Sequence, residues 1–293
     1  MSSQLIVSKS ELKVRPERRR RVLKPPSLSP GRVWNELRAL AEYRDLLYTL
    51  TVHRIKVRYK QSALGIGWAV LQPLSLMLIY TVVFTLIARM PTNGDTPYPV
   101  LLYSALLVWS FFSTALTSAT NGLVSHSQLV TKVYFPREIL PLTYIFAGLF
   151  DILIAAPVLV GLMWYYGVAV TIYALYAIPI LLILTSFMTA VSLFLSAIQV
   201  RFRDVGMAMP LVLQVWMFAS PVVYPLSAVP ERFRSLYMLN PMAGVVENFR
   251  RVLVEGMPPD PYQIAVSGAL ALILLPLAYI FFKNVEATIA DII

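Results

Sequence analysis

The sequence predicts an all-α polytopic membrane protein: six transmembrane helices, an N-terminal amphipathic interface helix, and two short re-entrant outer helices before the last span. Three observations predict it. Of 293 residues, 58% are apolar and only 14% charged, against roughly 45 to 50% and about 25% in soluble domains. Apolar windows of about 20 residues, the length that crosses a ~30 Å hydrocarbon core, recur along the chain. The basic side chains behind the net charge of +10 crowd one end, with fifteen of the 25 lysines and arginines before residue 61. A basic end on an apolar body points to membrane orientation and away from nucleic-acid recognition. A mean hydropathy of +0.68 and the lack of any cysteine exclude a disulfide-stapled scaffold, a zinc-cysteine site and wholesale disorder.

Residues 1–33 carry nine basic and two acidic side chains, with the run Arg18 to Arg21 followed by Pro25, Pro26 and Pro30. They read as a solvated, disordered cytoplasmic tail rather than a built anionic-lipid contact. No secretory signal is expected, because nothing before residue 60 combines a short apolar stretch with a small-residue cleavage site. Residues 34–65 form the interface helix and its basic connector. Leu37, Leu40, Tyr43, Leu47 and Leu50 recur every three or four residues with charged residues between them, which predicts an amphipathic helix along the membrane surface. The helix runs into His53, Arg54, Lys56, Arg58, Tyr59 and Lys60, just before Gly65, Gly67 and Trp68. These residues suit a snorkelling anchor and a partner-docking cluster equally.

Residues 66–293 form the six-span domain. The windows lie near Ile66–Ala88, Val100–Ala119, Leu140–Tyr165, Ile172–Val200, Met207–Leu226 and Ile264–Phe282. Their prolines imply kinks and not breaks, because neighbouring helices and Ser/Thr side chains can satisfy the freed carbonyls. With six spans both termini share a side. That side holds twenty Lys and Arg, and the other holds Arg89, Arg232, Arg234, Arg250 and Arg251, so both termini are expected in the cytoplasm.

Two connections do more than join spans. The cytoplasmic loop from about Ser125 to Glu138 holds the apolar Leu129, Val130, Val133, Tyr134 and Phe135 after Gln128, flanked by Lys132 and Arg137. An apolar patch with a charged rim is the pattern of a protein interface, and the competing reading is burial among lipid headgroups. On the outer side, Asn240 is a good N-cap with Pro241 in the first helical position. Met242, Val245, Val246, Phe249, Val252 and Leu253 form one stripe, Glu247 faces Arg250 and Arg251, and Gly256 supplies a stop. A shorter helix from Pro230 through Phe233 to about Leu239 precedes it. Two helices too short to span suit either an outer gate or a passive cap.

Catalysis is not expected. The two histidines, His53 and His126, have no suitably spaced carboxylate partner, and no HExxH, GxSxG or paired in-span carboxylates occur. No lysine follows a glycine, so a P-loop is excluded. Neither a catalytic group nor a metal site is predicted, and no cofactor is assigned to this chain. Asp151 is the one clear ionisable residue inside a span, read as a hydrogen-bonded carboxyl between helices before a proton site. Aromatic residues are plentiful in the spans, and those facing a pore could offer ring faces to the apolar faces of sugars.

The stretches RIKVRYKQSALGIGWAVLQPL (Arg54 to Leu74), KVYFPREILPL (Lys132 to Leu142) and LNPMAGVVENFRRVLVEG (Leu239 to Gly256) together resemble the permease subunits of type-2 ABC exporters that move polysaccharides, most closely the O-antigen and teichoic-acid export group. The resemblance extends over roughly residues 36 to 285. It implies a homodimer in the bacterial inner membrane, a separate cytoplasmic ATPase dimer carrying ATP and magnesium, and a lipid-linked polysaccharide as substrate. By the same resemblance Gln128, Leu129, Val130, Lys132, Tyr134, Phe135 and Arg137, with Arg54, Arg58 and Tyr59, couple to the ATPase. Arg201, Arg203 and Asp204 form a weaker contact. Tyr80, Phe84, Trp109, Phe112, Trp216 and Phe218 are expected along the channel. Pro230, Phe233, Asn240, Pro241, Glu247, Phe249 and Arg250 are expected in the outer gate. The basic tail is not part of the family pattern. Rival readings are a type-2 exporter of a drug or lipid, a proton-coupled flippase relying on Asp151, and last a membrane-embedded transferase.

Overall fold

A computed structural model describes residues 40–60, 62–87 and 96–292. The predicted tail, the start of the interface helix with Leu37, and Arg89 lie outside the described residues. Helix α1 (Arg44–Tyr59) leads into α2 (Gly67–Thr81), which continues as a π-helical turn, Val82–Ile87. Then come α3 (Tyr98–Ser125), the short α4 (Ser127–Lys132), α5 (Ile139–Tyr165), and α6 (Ala177–Arg201) behind a 3-10 turn at Ile172–Tyr176. After these follow α7 (Asp204–Phe218), α8 (Glu231–Met238), α9 (Pro241–Leu253) and α10 (Pro261–Ile292). No strand occurs among the described residues.

Helix α3 is the hub. Tyr103, Leu106, Phe112 and Leu116 along it are fully buried, packed by α5, α6, α7 and α9. Small residues make this possible: Ala115 and Gly122 on α3 face Gly148 and Tyr144 on α5, letting the two backbones approach as membrane helices do without a hydrophobic driving force. A methyl group at Gly148 would sit 2.8 Å from the Phe111 ring and 3.1 Å from Ala115 Cβ, so no larger residue fits that crossing.

Among the described residues five helices are long and apolar enough to cross a membrane: 67–85, 98–125, 139–165, 172–201 and 261–286. The fifth predicted window, Met207–Leu226, is different. It forms the 15-residue α7, about 22 Å long at 1.5 Å per residue, followed by non-helical backbone. Apolar composition alone could not reveal this, because the difference lies in hydrogen bonding. The carbonyls past the helix end are met by side chains instead of by the next turn. Tyr224 donates to the Phe218 carbonyl, and Asn240 Nδ2 donates to Ala219 O at 3.1 Å. Arg250 donates to Pro221 O at 3.0 Å and Val222 O at 3.3 Å, and the Tyr98 hydroxyl to Val223 O at 2.6 Å. Irregular backbone away from water is tolerated only where the protein supplies such partners.

Arg250 is 3% exposed and also reaches Glu247 at 3.1 Å. Arg250→Met leaves the two carbonyls and the Glu247 carboxylate without their donor, and is expected to cost about 3 kcal/mol, as for breaking a buried pair. Heat denaturation of the purified protein in detergent measures this. Arg250→Lys, which lacks the planar fork, should recover less than half of the loss.

Candidate functional site

The packing around the Tyr134 loop begins with α1. Its partly buried positions, Leu46, Leu47, Leu50, Thr51, Val52, Arg54, Ile55, Arg58 and Tyr59, broadly follow the helical repeat of three and four, so the packed stripe includes two arginines. Arg54 lies 4.3 Å from the Tyr144 ring centre on α5, and burial lowers its pKa from the ordinary guanidinium value. Arg58 pairs with Asp151 of α5. The other Asp151 oxygen accepts the Tyr59 hydroxyl at 2.6 Å, and burial, helped by that carboxylate, pushes Tyr59 up to about 12. Asp151 is thus a helix-to-helix tie. The basic connector divides: Arg54, Arg58 and Tyr59 turn inward, while His53, Lys56 and Lys60 stay exposed. A cavity of about 80 Å³ lies against this tie, lined by Arg58, Trp68, Gln72, Ser110, Thr114 and Asp151 among others.

The loop after α3 divides too. Val130 and Phe135 are buried in a second core with Leu123, Ile139, Leu140, Phe282 and Ile289, against which Leu40, Tyr43, Leu47 and Leu50 also pack. Leu129 is half-buried and Gln128 exposed. Lys132, Val133 and Tyr134 project, Tyr134 at 95% exposure. An aromatic ring that open, on a loop pinned by a buried ring at the next residue, is a rigid presented tip.

Behind the tip sits a cluster that sequence reading missed. Arg137 donates its amide to Glu286 Oε1 at 3.2 Å and its guanidinium to the Glu286 carbonyl. Glu138 is 1% exposed and receives Lys283 at 2.8 Å, and Lys283 also holds Glu286 at 2.9 Å. Burial raises the Glu138 pKa, with the Lys283 ammonium acting in the opposite direction. The available signal was the Lys283 and Glu286 pair, three residues apart at the end of an otherwise apolar helix.

Among the aromatic residues, Trp109 and Phe112 on α3, Phe187 on α6 and Trp216 on α7 form one cluster. Phe112 meets Trp216 edge-on at 5.1 Å and Phe187 in a stack at 6.1 Å, and Trp109 is 5.6 Å from Phe112. Phe112 is fully buried and Trp109 is 5% exposed, so within one chain both belong to the core. Phe187 was not singled out in the sequence, since nothing in an apolar run marks which ring faces its neighbours. Tyr80 and Phe84 lie 6.2 Å apart on α2 and its π-helical extension, half-buried, while Phe218 is exposed.

The outer helices are unlike each other. In α9, Pro241, Met242, Val245, Val246, Phe249, Arg250 and Val252 are all buried and Glu247 is half-buried. In α8, Phe233 and Leu236 are exposed, as is Pro230 before it. Asn240 joins them. Its Oδ1 caps α9 by accepting from Met242 N at 3.1 Å and also accepts Trp216 Nε1 at 3.1 Å, while its amide nitrogen reaches Ser220 Oγ at 2.8 Å. The outer helices are therefore wired to the aromatic cluster through one side chain. The fourth loop, with Arg201, Arg203 and Asp204, is exposed, and Gln199 ties it down by accepting Gly206 N at 2.6 Å.

Comparison with known proteins places these features in a family. An O-antigen export system permease protein RfbA of Myxococcus xanthus is 32% identical over 169 residues, 58% of this chain and 64% of that protein. Two O-antigen export system permease proteins RfbA of Klebsiella pneumoniae are 32% and 30% identical over 162 residues, 55% of this chain and 61% of each. The matched segment spans under two thirds of the length of these relatives. Residues 45–254, which run from α1 to the end of α9 and take in the Arg58–Asp151 tie, the exposed loop and the aromatic cluster, match the ABC-2 type transporter family, and the chain belongs to it.

Proposed function

We propose that the chain is the transmembrane permease subunit of an ATP-driven exporter that moves lipid-linked polysaccharide of the O-antigen kind across the bacterial inner membrane, with both termini in the cytoplasm. The relatives named as O-antigen export permeases support the substrate class. The observation that carries the coupling role is Tyr134, an almost fully exposed ring beside Lys132 on a loop whose next residue is buried. Such an anchored aromatic tip suits insertion into a pocket of a separate ATPase subunit, which would hold ATP and magnesium. Nucleotide can bias the spans only through contacts that differ between two states, and Lys132 to Tyr134 is where those contacts would form.

Helices α2 and α7 support a homodimer. Both leave most of an apolar face open, and Gln72 and Gln214 sit on those faces, where a second copy would meet the amides better than lipid can. The channel would run along these faces, with Tyr80, Phe84, Phe218 and the edge of Trp216 towards the polymer and Trp109 and Phe112 as the layer behind. Exposed α8 would be the moving part of the outer gate, and buried α9 its base. The flippase reading loses its support, since Asp151 is engaged by both Arg58 and Tyr59.

Tyr134→Glu should weaken ATPase capture by at least about 30-fold, as loss of an aromatic anchor worth about 2 kcal/mol does, and export should fall with it while membrane insertion stays normal. Co-purification and glycan transport in proteoliposomes are the readouts, and full export in this variant would remove the docking role. Phe135→Glu is not the same test, because burying a charge in the second core should unfold that end. For the channel, Phe218→Ala should slow polymer passage with ATPase capture unchanged. Phe112→Ala should instead lower stability by about 3 to 5 kcal/mol, seen as reduced heat resistance.

A further inference from the structure

The exposed cytoplasmic loop and the outer helices are bonded to opposite ends of a single element, α10. At its inner end, Lys283 lies between Glu138 at 2.8 Å and Glu286 at 2.9 Å, and Arg137 holds Glu286 through both its amide and its guanidinium. Arg137 and Glu138 stand three and four residues past Tyr134. The ion pair is enclosed, with the Glu138 and Lys283 side chains 2% and 13% exposed. At the outer end, Gln263 accepts Asn248 Nδ2 of α9 at 3.1 Å and Ser267 donates to Pro241 O at 3.2 Å. Asp260, just before α10, donates its amide to Asn248 Oδ1 at 2.6 Å. Gly244 lets the helices come this close, since a methyl group there would lie 3.1 Å from the Gln263 carbonyl oxygen. Helix α9 in turn holds the non-helical segment through Arg250 and adjoins α8 at Asn240.

A displaced loop must either carry α10 with it or pull Glu138 away from Lys283, and the second course strands a charge out of water. We infer that Lys283 is a positioning residue that fixes the Tyr134 loop to the last span, making α10 the element through which movement of that loop reaches α9 and the outer helices. Pro276 removes one rung from the helix between the two bonded ends, which gives the span a bend point. The inference rests on the docking role proposed for Tyr134.

Because the chain has no cysteine, one introduced at Leu236 of α8, which is 66% exposed, reports on the outer end alone. Its reaction with a membrane-impermeant maleimide is followed in the permease–ATPase complex in lipid nanodiscs, with and without a non-hydrolysable ATP analogue. The nucleotide is expected to change the rate about ten-fold in the parent and under about two-fold in the Glu138→Gln, Lys283→Met double variant, with ATPase capture retained. Both charges of the enclosed pair leave together in that variant, and the partly exposed Glu286 keeps the Arg137 amide. Lys283→Arg, which keeps the cation, should restore the response. Glu286→Gln, which removes one of the two carboxylates around Lys283 but leaves Glu138 paired, should give an intermediate one. A parental response in both the double variant and Glu286→Gln overturns the inference, as does a parent that captures the ATPase yet shows no nucleotide response at Leu236. A parent that never captures the ATPase overturns the docking role itself and the inference with it.

Discussion

Lipid offers a carbonyl no hydrogen bond, and the half of this protein around α9 is organised by that fact. Once α7 ends at Phe218, the backbone through Val223 has no helical ladder, yet it stays folded because Tyr224, Asn240, Arg250 and Tyr98 each supply a donor. Arg250 is the costliest of these to bury. The cation is tolerable because Glu247 and two carbonyls surround it, which exchanges water for fixed partners of the right sign. Once Arg250 is committed, the position of α9 follows, and with it the end of α10 that bonds to Asn248 and Pro241.

The half around the Tyr134 loop solves a related problem with ion pairs. Arg58 with Asp151 joins α1 to α5, and Glu138 with Lys283 joins the exposed loop to α10. Both pairs leave the tip at Tyr134 free while fixing everything around it. The protein is thus braced where helices meet and open at the Tyr134 tip. Between the halves, α3 and the cluster of Trp109, Phe112, Phe187 and Trp216 form a packed centre in which a shift of one ring is felt by the others.

Much of this was legible in the sequence. Periodicity located α1, α9 and the long spans, and local chemistry identified Asn240 as a cap with Pro241 after it, because these depend on residues a few positions apart. What failed to show was direction. An arginine in a basic run reads as solvent-facing until an acidic partner 93 residues away is known, which is why Arg58 and Tyr59 resembled a docking cluster. Val130 and Phe135 could not be told from Val133 and Tyr134, since all four are apolar or aromatic within one short loop. The break after α7 was hidden for a different reason: hydropathy measures side chains, and the decisive contacts belong to main-chain oxygens.

The two sets of braces differ in how far apart along the chain their members lie, and that difference orders biogenesis. Arg250 meets its carbonyls 28 and 29 residues back, and Asn240 reaches 20 and 21 residues back. The outer hairpin can therefore close as one local unit while the C-terminal span is still being synthesised. Glu138 has to wait for Lys283, 145 residues later. The loop bearing Tyr134 therefore gains its Glu138–Lys283 brace only after α10 has been made, later than the contacts of Arg250 and Asn240 can form.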